Sequence, residues 1–256
     1  MIYDKLIVAL LSALATEREE TTNATIARYL VTHIEDLDDV TVKGVASACN
    51  VGVGSVSRFC RETGFRGFDE LRRALMEAGP SFELAPTDHA GFVGASIVQA
   101  ERSVDKKMLR ALVDDLRVYQ KVFVCGMLKA QAAAVNLQVD LLMQGKLVHT
   151  CVSYAEQLGH IAAAARDEMV VVFSYTGSYF DAYDLSDSFA RLDRPRVWMV
   201  TGTKRPQPEF VYGCLSFKSS HSQLAHPFQL EMIAALIAQE YARAMERTND
   251  LPEHLR

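Results

Sequence analysis

The 256-residue sequence contains no apolar run approaching the roughly 20 residues a bilayer-spanning helix needs, so no membrane span is expected. Its first residues, Met1-Ile2-Tyr3-Asp4-Lys5, interrupt the opening apolar stretch with charge, and no basic leader with a small-residue cleavage site follows. Export is therefore not expected, and a cytoplasmic protein is. Cysteine is sparse: Cys49, Cys60, Cys125, Cys151 and Cys214 are odd in number and never spaced Cys-x-x-Cys, which speaks against a disulfide framework and a zinc knuckle. His221 and His226 have no Cys or carboxylate at ligand spacing, so neither a metal nor a cofactor is expected. Positive charge is not in excess either, because 27 Lys and Arg face 32 Asp and Glu, a net charge of −5. A protein that coats nucleic acid by bulk electrostatics is excluded, and any DNA contact must be local.

What is present suits a globular chain: 49% of residues are apolar and 23% charged. Up to about residue 79 the apolar positions recur at helical spacing with no convincing strand. Gly79-Pro80 and Pro86 then break the periodicity, and no helix runs through them undisturbed. Beyond about 92, short Val- and Phe-rich runs alternate with longer amphipathic segments. Val122–Cys125, Val170–Phe173 and Val197–Val200 read as strands buried on both faces, and roughly 127–144 and 178–192 as helices between them. This alternation predicts a parallel sheet with crossover helices. The expected division is residues 1–79, a linker at 80–92, and 93–256. Each strand ends in Gly126, Ser174 or Thr201, and ligands of open parallel sheets bind at those carboxyl ends.

The stretch Thr41–Gly64 carries the most specific signal. Thr41 is a good N-cap for a helix burying Val42, Val45 and Ala46; Asn50-Val51-Gly52 forms a tight turn, with Gly52 supplying backbone freedom or a weak cap. A second helix buries Val53, Val56, Phe59 and Cys60, and Gly64 ends it. Two short helices, an alanine at their crossing and an Arg-bearing polar face on the second meet the requirements of a helix-turn-helix. Small residues at Gly54, Ser55 and Ser57 allow close approach to DNA, and Arg58 and Arg61 supply charge-assisted contacts. With Thr41 at the first cap, these are the candidate DNA-binding residues. An ordinary helical hairpin with solvated arginines remains the alternative on periodicity alone.

The continuation Val56-Ser-Arg-Phe-Cys-Arg-Glu-Thr-Gly-Phe-Arg-Gly-Phe-Asp-Glu-Leu-Arg72 resembles the end of the DNA-binding domain of RpiR-family regulators, in Val56, Arg58, Phe59, Cys60, Gly64, Phe65, Gly67, Phe68, Glu70 and Leu71. The resemblance extends over most of residues 22–78, with Gly52 standing where the family carries a capping serine. It implies an all-α helix-turn-helix domain followed by an α/β parallel-sheet domain of the sugar isomerase (SIS) type, a flavodoxin-like three-layer fold with five strands. It further implies a transcriptional regulator of sugar or amino-sugar metabolism that binds an operator in double-stranded DNA, assembles as a homodimer or tetramer, and takes a phosphosugar or other anionic effector. The family's first ligand loop aligns with Cys125-Gly-Met-Leu-Lys-Ala-Gln131 and the second with Ser174-Tyr-Thr-Gly-Ser-Tyr179. The implied effector contacts are Gly126, Lys129, Ser174, Thr176, Gly177 and Ser178. The first loop departs from the family: Leu128 stands for its second Gly and Ala130 for its serine. Lys129 either replaces the lost hydroxyl with a charge or leaves the pocket without its sugar phosphate. His226, Gln229 and Glu231 open the closing helix, as pocket residues or as caps and surface groups. The rival of another class is an SIS-type isomerase or amino-sugar lyase. Its acid/base candidates by type, Glu156, His160, His226 and Glu231, form no recognisable constellation, so no enzyme is expected. A helical domain that binds protein instead of DNA is a third reading.

Overall fold

A computed structural model describes residues 10, 14, 21–63, 65–78, 87–181, 194–219 and 222–249. The chain divides into two compact units that part after residue 82.

In the first unit, helix α1 (Thr22–Thr32) is capped by the Thr21 hydroxyl, which accepts from Ala24 N at 3.2 Å. A 3-10 turn (Ile34–Asp36) leads to α2 (Val42–Ala48), α3 (Val53–Glu62) and α4 (Phe68–Ala78). One face of each helix is apolar, and together they bury Ile26, Leu30, Val45, Val56, Phe59, Leu71 and Leu75 in one core. Arg72 ties α4 to the loop before α2 through the carbonyl of Asp38 (2.5 Å), which takes that arginine into the fold of the domain. Gly64 lies outside the described residues.

The second unit opens with α5 (His89–Ser103), which begins inside the span expected to be linker, and α6 (Lys106–Val118). Asp88 caps the first by accepting from Gly91 N. Then come β1 (Lys121–Gly126), α7 (Lys129–Met143), α8 (Tyr154–Ala163), β2 (Glu168–Phe173), β3 (Arg196–Thr201), β4 (Val211–Ser216) and α9 (His226–Asn249). The four strands are parallel in the order β1-β2-β3-β4, and a bridge of Phe123 to His149 adds a further parallel segment beside β1. Among the described residues the sheet thus has four full strands and a one-bridge edge where the resemblance implied five strands.

Helices cover both faces. On one, the register aligns Val124, Val171, Trp198 and Gly213, and the Trp198 indole donates to Asp115 of α6 at 2.8 Å. A Cβ at Gly213 would fall 2.5 Å from the Trp198 ring, so that strand position accepts only glycine. On the other, the His160 ring of α8 stacks on Phe123. Of the predicted helix 178–192, residue 178 is irregular, 179–181 are turn and 182–192 lie outside the described residues.

Candidate functional site

In the first unit, α2 ends in a Schellman arrangement that sets the angle to α3. Asn50 takes the left-handed conformation (φ 53°), its N–H donates to Ser47, and the Val51 N–H donates to the Ala46 carbonyl at 2.9 Å. The turn's backbone freedom therefore resides at Asn50, while Gly52 is an extended N-cap (φ −76°, ψ 149°) with no side-chain bond. Asparagine tolerates this conformation because its short polar side chain adds little steric penalty.

Helix α3 turns Val56, Phe59 and Cys60 inward; Val53, expected to be buried with them, is 42% exposed. As its first residue, Val53 lies a turn ahead of the core contacts. Gly54, Arg58 and Arg61 are exposed, and Ser55 and Ser57 half-buried. Added Cβ atoms at Gly52 and Gly54 would meet nothing within 4 Å, so the start of the helix is open to close approach. Thr41 caps α2 by accepting from Gly44 N at 3.1 Å. Arg61 bends back to the Ser57 carbonyl (3.4 Å), and Arg58 lies 3.7 Å from Glu62. The six sequence-predicted residues thus fall on α3 and on the cap of α2, an arrangement able to offer small residues and two guanidinium groups to a groove.

In the second unit, the two loops after β1 and β2 differ in chemistry. In the first, the Gly126 N–H donates to the side-chain oxygen of Gln131 (2.9 Å), and Ala130 N and Gln131 N donate to the Met127 and Leu128 carbonyls. These donors, which a phosphate would use at a helix N-terminus, are engaged internally. Gly126 itself is imposed by packing, since a Cβ there would lie 2.8 Å from Ala130 backbone and 2.9 Å from the Phe173 carbonyl. Leu128 retains a positive φ (52°, with ψ −120°), a conformation favouring glycine that costs about 1–3 kcal/mol elsewhere. Lys129 is exposed, and its Nζ donates to the Gln223 carbonyl at 3.5 Å.

Behind this loop lies a buried polar network that sequence reasoning missed. Gln131 donates to Thr150 Oγ1 (2.8 Å). Gln157, fully buried, donates to the Gly126 (3.0 Å) and Cys151 (2.8 Å) carbonyls and accepts from the Tyr179 hydroxyl at 2.7 Å. The Cys125 thiol meets the same hydroxyl at 3.6 Å. Burial pushes the Cys125 thiol up to about 12 and holds the Tyr179 phenol well above its ordinary range, so both stay protonated donors. Gln131 closes the first-loop motif and Tyr179 the second, the only signal in the sequence that could have marked them.

The second loop is a tight turn, with Gly177 N donating to the Ser174 carbonyl at 2.9 Å and Gly177 at φ 69°. Ser174 is buried; Thr176 and Ser178 are half-buried and share a hydrogen bond of 2.5 Å. The loop after β3 packs over this turn. Thr201 Oγ1 donates to the Tyr175 carbonyl, Thr203 Oγ1 to that of Thr176, and a Cβ on Gly177 would fall 2.7 Å from Gln207 Nε2 and 3.2 Å from Arg205. The turn gathers three hydroxyl side chains beside the Arg205 stem, residue types that an anion site draws on, with the Gly177 N–H already bonded to Ser174.

The remaining candidates are spread over α8 and the start of α9. Gln229 donates to Ser96 of α5 (3.0 Å), Asn136 of α7 donates to Glu231, and His226 is buried against Tyr175. Glu156 is exposed in the first turn of α8, and His160 pairs with Glu168 at 3.6 Å. Among the described residues no three His, Cys, Asp or Glu side chains gather into a metal site, and no helix is long and apolar enough to cross a membrane. His221 lies outside them.

The family model of the rpiR-family helix-turn-helix domain matches residues 9–79. No curated protein matches the sequence. Among solved structures, the NanR protein of Vibrio vulnificus, complexed with ManNAc-6P, is 16% identical, with 96% of this chain and 97% of that chain covered and a TM-score of 0.49. A candidate sugar-phosphate isomerase of Listeria monocytogenes is 14% identical over 66% of this chain and 93% of its own, with a TM-score of 0.51. The sugar isomerase domain of an RpiR transcription factor from Sphaerobacter thermophilus is 16% identical over 66% and 99%, with a TM-score of 0.45. The parallel-sheet unit has the fold of the Listeria protein. The helical unit, with its Schellman turn and Arg-bearing second helix, is a helix-turn-helix domain of the rpiR family.

Proposed function

We propose that this chain is a DNA-binding transcriptional regulator of sugar or amino-sugar metabolism, with residues 1–79 as the operator-binding unit and the parallel-sheet unit as effector domain. The observation that carries the reading is the rpiR-family match over residues 9–79, on which α3 offers Gly54, Ser55, Ser57, Arg58 and Arg61 on one open helix. The effector is an anion, a phosphorylated sugar by class, held at the turn formed by Ser174, Thr176, Gly177 and Ser178. The first loop contributes little, since Gly126 N–H is committed to Gln131 and Lys129 reaches Gln223. Two-fold pairing through the effector domains would place operator half-sites about one helical turn apart or a multiple of it.

Titrating the full chain with random duplex DNA at rising salt tests the first part. Phosphate contacts give a steep linear fall of log affinity with log salt, and absent or salt-independent binding refutes the reading. A thermal-shift series with sugar phosphates tests the second part. Stabilisation by a phosphosugar but not by its unphosphorylated sugar is expected, and equal response to both refutes an anion site.

A further inference from the structure

We infer that Glu62 is a positioning residue for DNA readout, holding the Arg58 guanidinium in the orientation that reads a base; the inference rests on the DNA-binding reading above. Glu62 is the last residue of α3, where a carboxylate meets the negative end of the helix dipole. It also brings negative charge to a helix that must approach phosphates. Two local rules are broken at one position, and such positions are expected where function outweighs helix stability. The Arg58–Glu62 pair adds little to folding, because the two side chains are 62% and 48% exposed and an ion pair of that kind contributes little to stability.

The geometry supplies the reason. Both carboxylate oxygens are engaged: Oε1 lies 3.7 Å from Arg58 Nε, and Oε2 accepts from Asn23 Nδ2 of α1 at 3.0 Å. Asn23 sits two residues past the Thr21 cap, so the carboxylate is fixed from a second helix across 39 residues of sequence. A carboxylate anchored this way restricts the otherwise mobile arginine. Because it engages Nε, it leaves the two terminal Nη groups, the pair that matches guanine O6 and N7 bidentately. Arg61 differs, since its Nε turns back to the Ser57 carbonyl of its own helix. The inference therefore assigns base reading to Arg58 and gives Glu62 and Asn23 the task of presenting it.

The test compares the full chain with its Glu62→Ala, Glu62→Gln, Asn23→Ala and Arg58→Ala variants, on random duplex and on a duplex that the full chain selects from a random library. Glu62→Ala removes a negative charge, so its affinity for random duplex should rise, while its preference for the selected duplex over random should fall about tenfold. Asn23→Ala, which changes no charge, should lower the preference without raising random affinity. In the Arg58→Ala background, Glu62→Ala should cause no further loss of preference, because the carboxylate acts through Arg58. An unchanged preference in Glu62→Ala and Glu62→Gln, or an equal loss with and without Arg58, overturns the assignment while leaving DNA binding intact. Absence of salt-dependent binding by the unmodified chain overturns the DNA-binding reading itself.

Discussion

Replacing Gln157 by Leu removes the group on which the polar network behind the first loop converges. Gln157 is fully buried; its amide donates to the Gly126 and Cys151 carbonyls and accepts from Tyr179. Leucine is similar in size but offers neither function. The Gly126 carbonyl and the Tyr179 hydroxyl, both buried, lose their partner, apart from the Cys125 thiol at 3.6 Å from the hydroxyl. At about 2 kcal/mol for each orphaned group the loss is about 4 kcal/mol. Burying an apolar side chain in place of an amide returns about 2 kcal/mol, leaving a net destabilisation of about 2 kcal/mol. In a chain of this length that lowers the unfolding midpoint by roughly 4–8 °C. The sharper measurement is the cycle with Tyr179→Phe. In the unmodified protein, deleting the hydroxyl orphans the Gln157 oxygen and should destabilise by about 1 kcal/mol; in the Gln157→Leu background it removes an orphan and should restore about 1 kcal/mol. Equal effects of Tyr179→Phe in both backgrounds, read by urea or thermal unfolding, would refute the network as the reason for the polar residues here.

Asn50→Val should destabilise the helical unit by at least about 1 kcal/mol, because a β-branched residue resists the left-handed conformation, whereas Asn50→Gly should be neutral or better; circular-dichroism melts distinguish them. Gly177→Ala should cost about 1–2 kcal/mol, because the residue has φ 69° and its new methyl meets Gln207 and Arg205, and it should abolish any thermal shift with sugar phosphates. Burial holds the Cys60 thiol up to about 11 and Cys125 up to about 12, against 9.0 for a free thiol, so at pH 8 a disulfide reagent should modify half-exposed Cys151 and Cys214 first and these two only on unfolding. Because the folded state holds these protons more tightly, their contribution to stability is complete below about pH 9 and should fall as pH rises from there towards 12, which alkaline denaturant titrations would register. Arg58→Ala should weaken binding to the selected duplex by about 1–3 kcal/mol with a much smaller loss on random duplex, and equal losses on both would make it a phosphate contact only.

Much of the fold was legible because local chemistry carried it. Thr41 caps its helix through its own hydroxyl, Val56, Phe59 and Cys60 lie one helical turn apart, and β1, β2 and β3 are continuous apolar runs because they are buried on both faces. β4 was missed because it is exposed at Tyr212 and carries Gly213, a residue that weakens any strand signal and is present only because Trp198 occupies the space beside it. Of the two roles open to Gly52, backbone freedom or a weak cap, it takes the cap, while the left-handed conformation falls to Asn50, because the Schellman bonds settle which residue adopts it.

For the candidate sites, sequence determined which residue types stand at each loop: Arg58 on α3, hydroxyls at Ser174, Thr176 and Ser178, and Leu128 and Ala130 where glycine and serine are usual in the resembling family. Tertiary structure decided what those residues can still do. The Gly126 N–H of the first loop is engaged by Gln131 from the next helical turn, while Gln157, 31 residues away, takes the Gly126 carbonyl; the Asn23 amide reaches Glu62 across 39 residues. A hydrogen-bonding group is available to a ligand only if no other part of the folded chain has claimed it, and claims made across tens of residues leave no periodicity or spacing in the sequence to read.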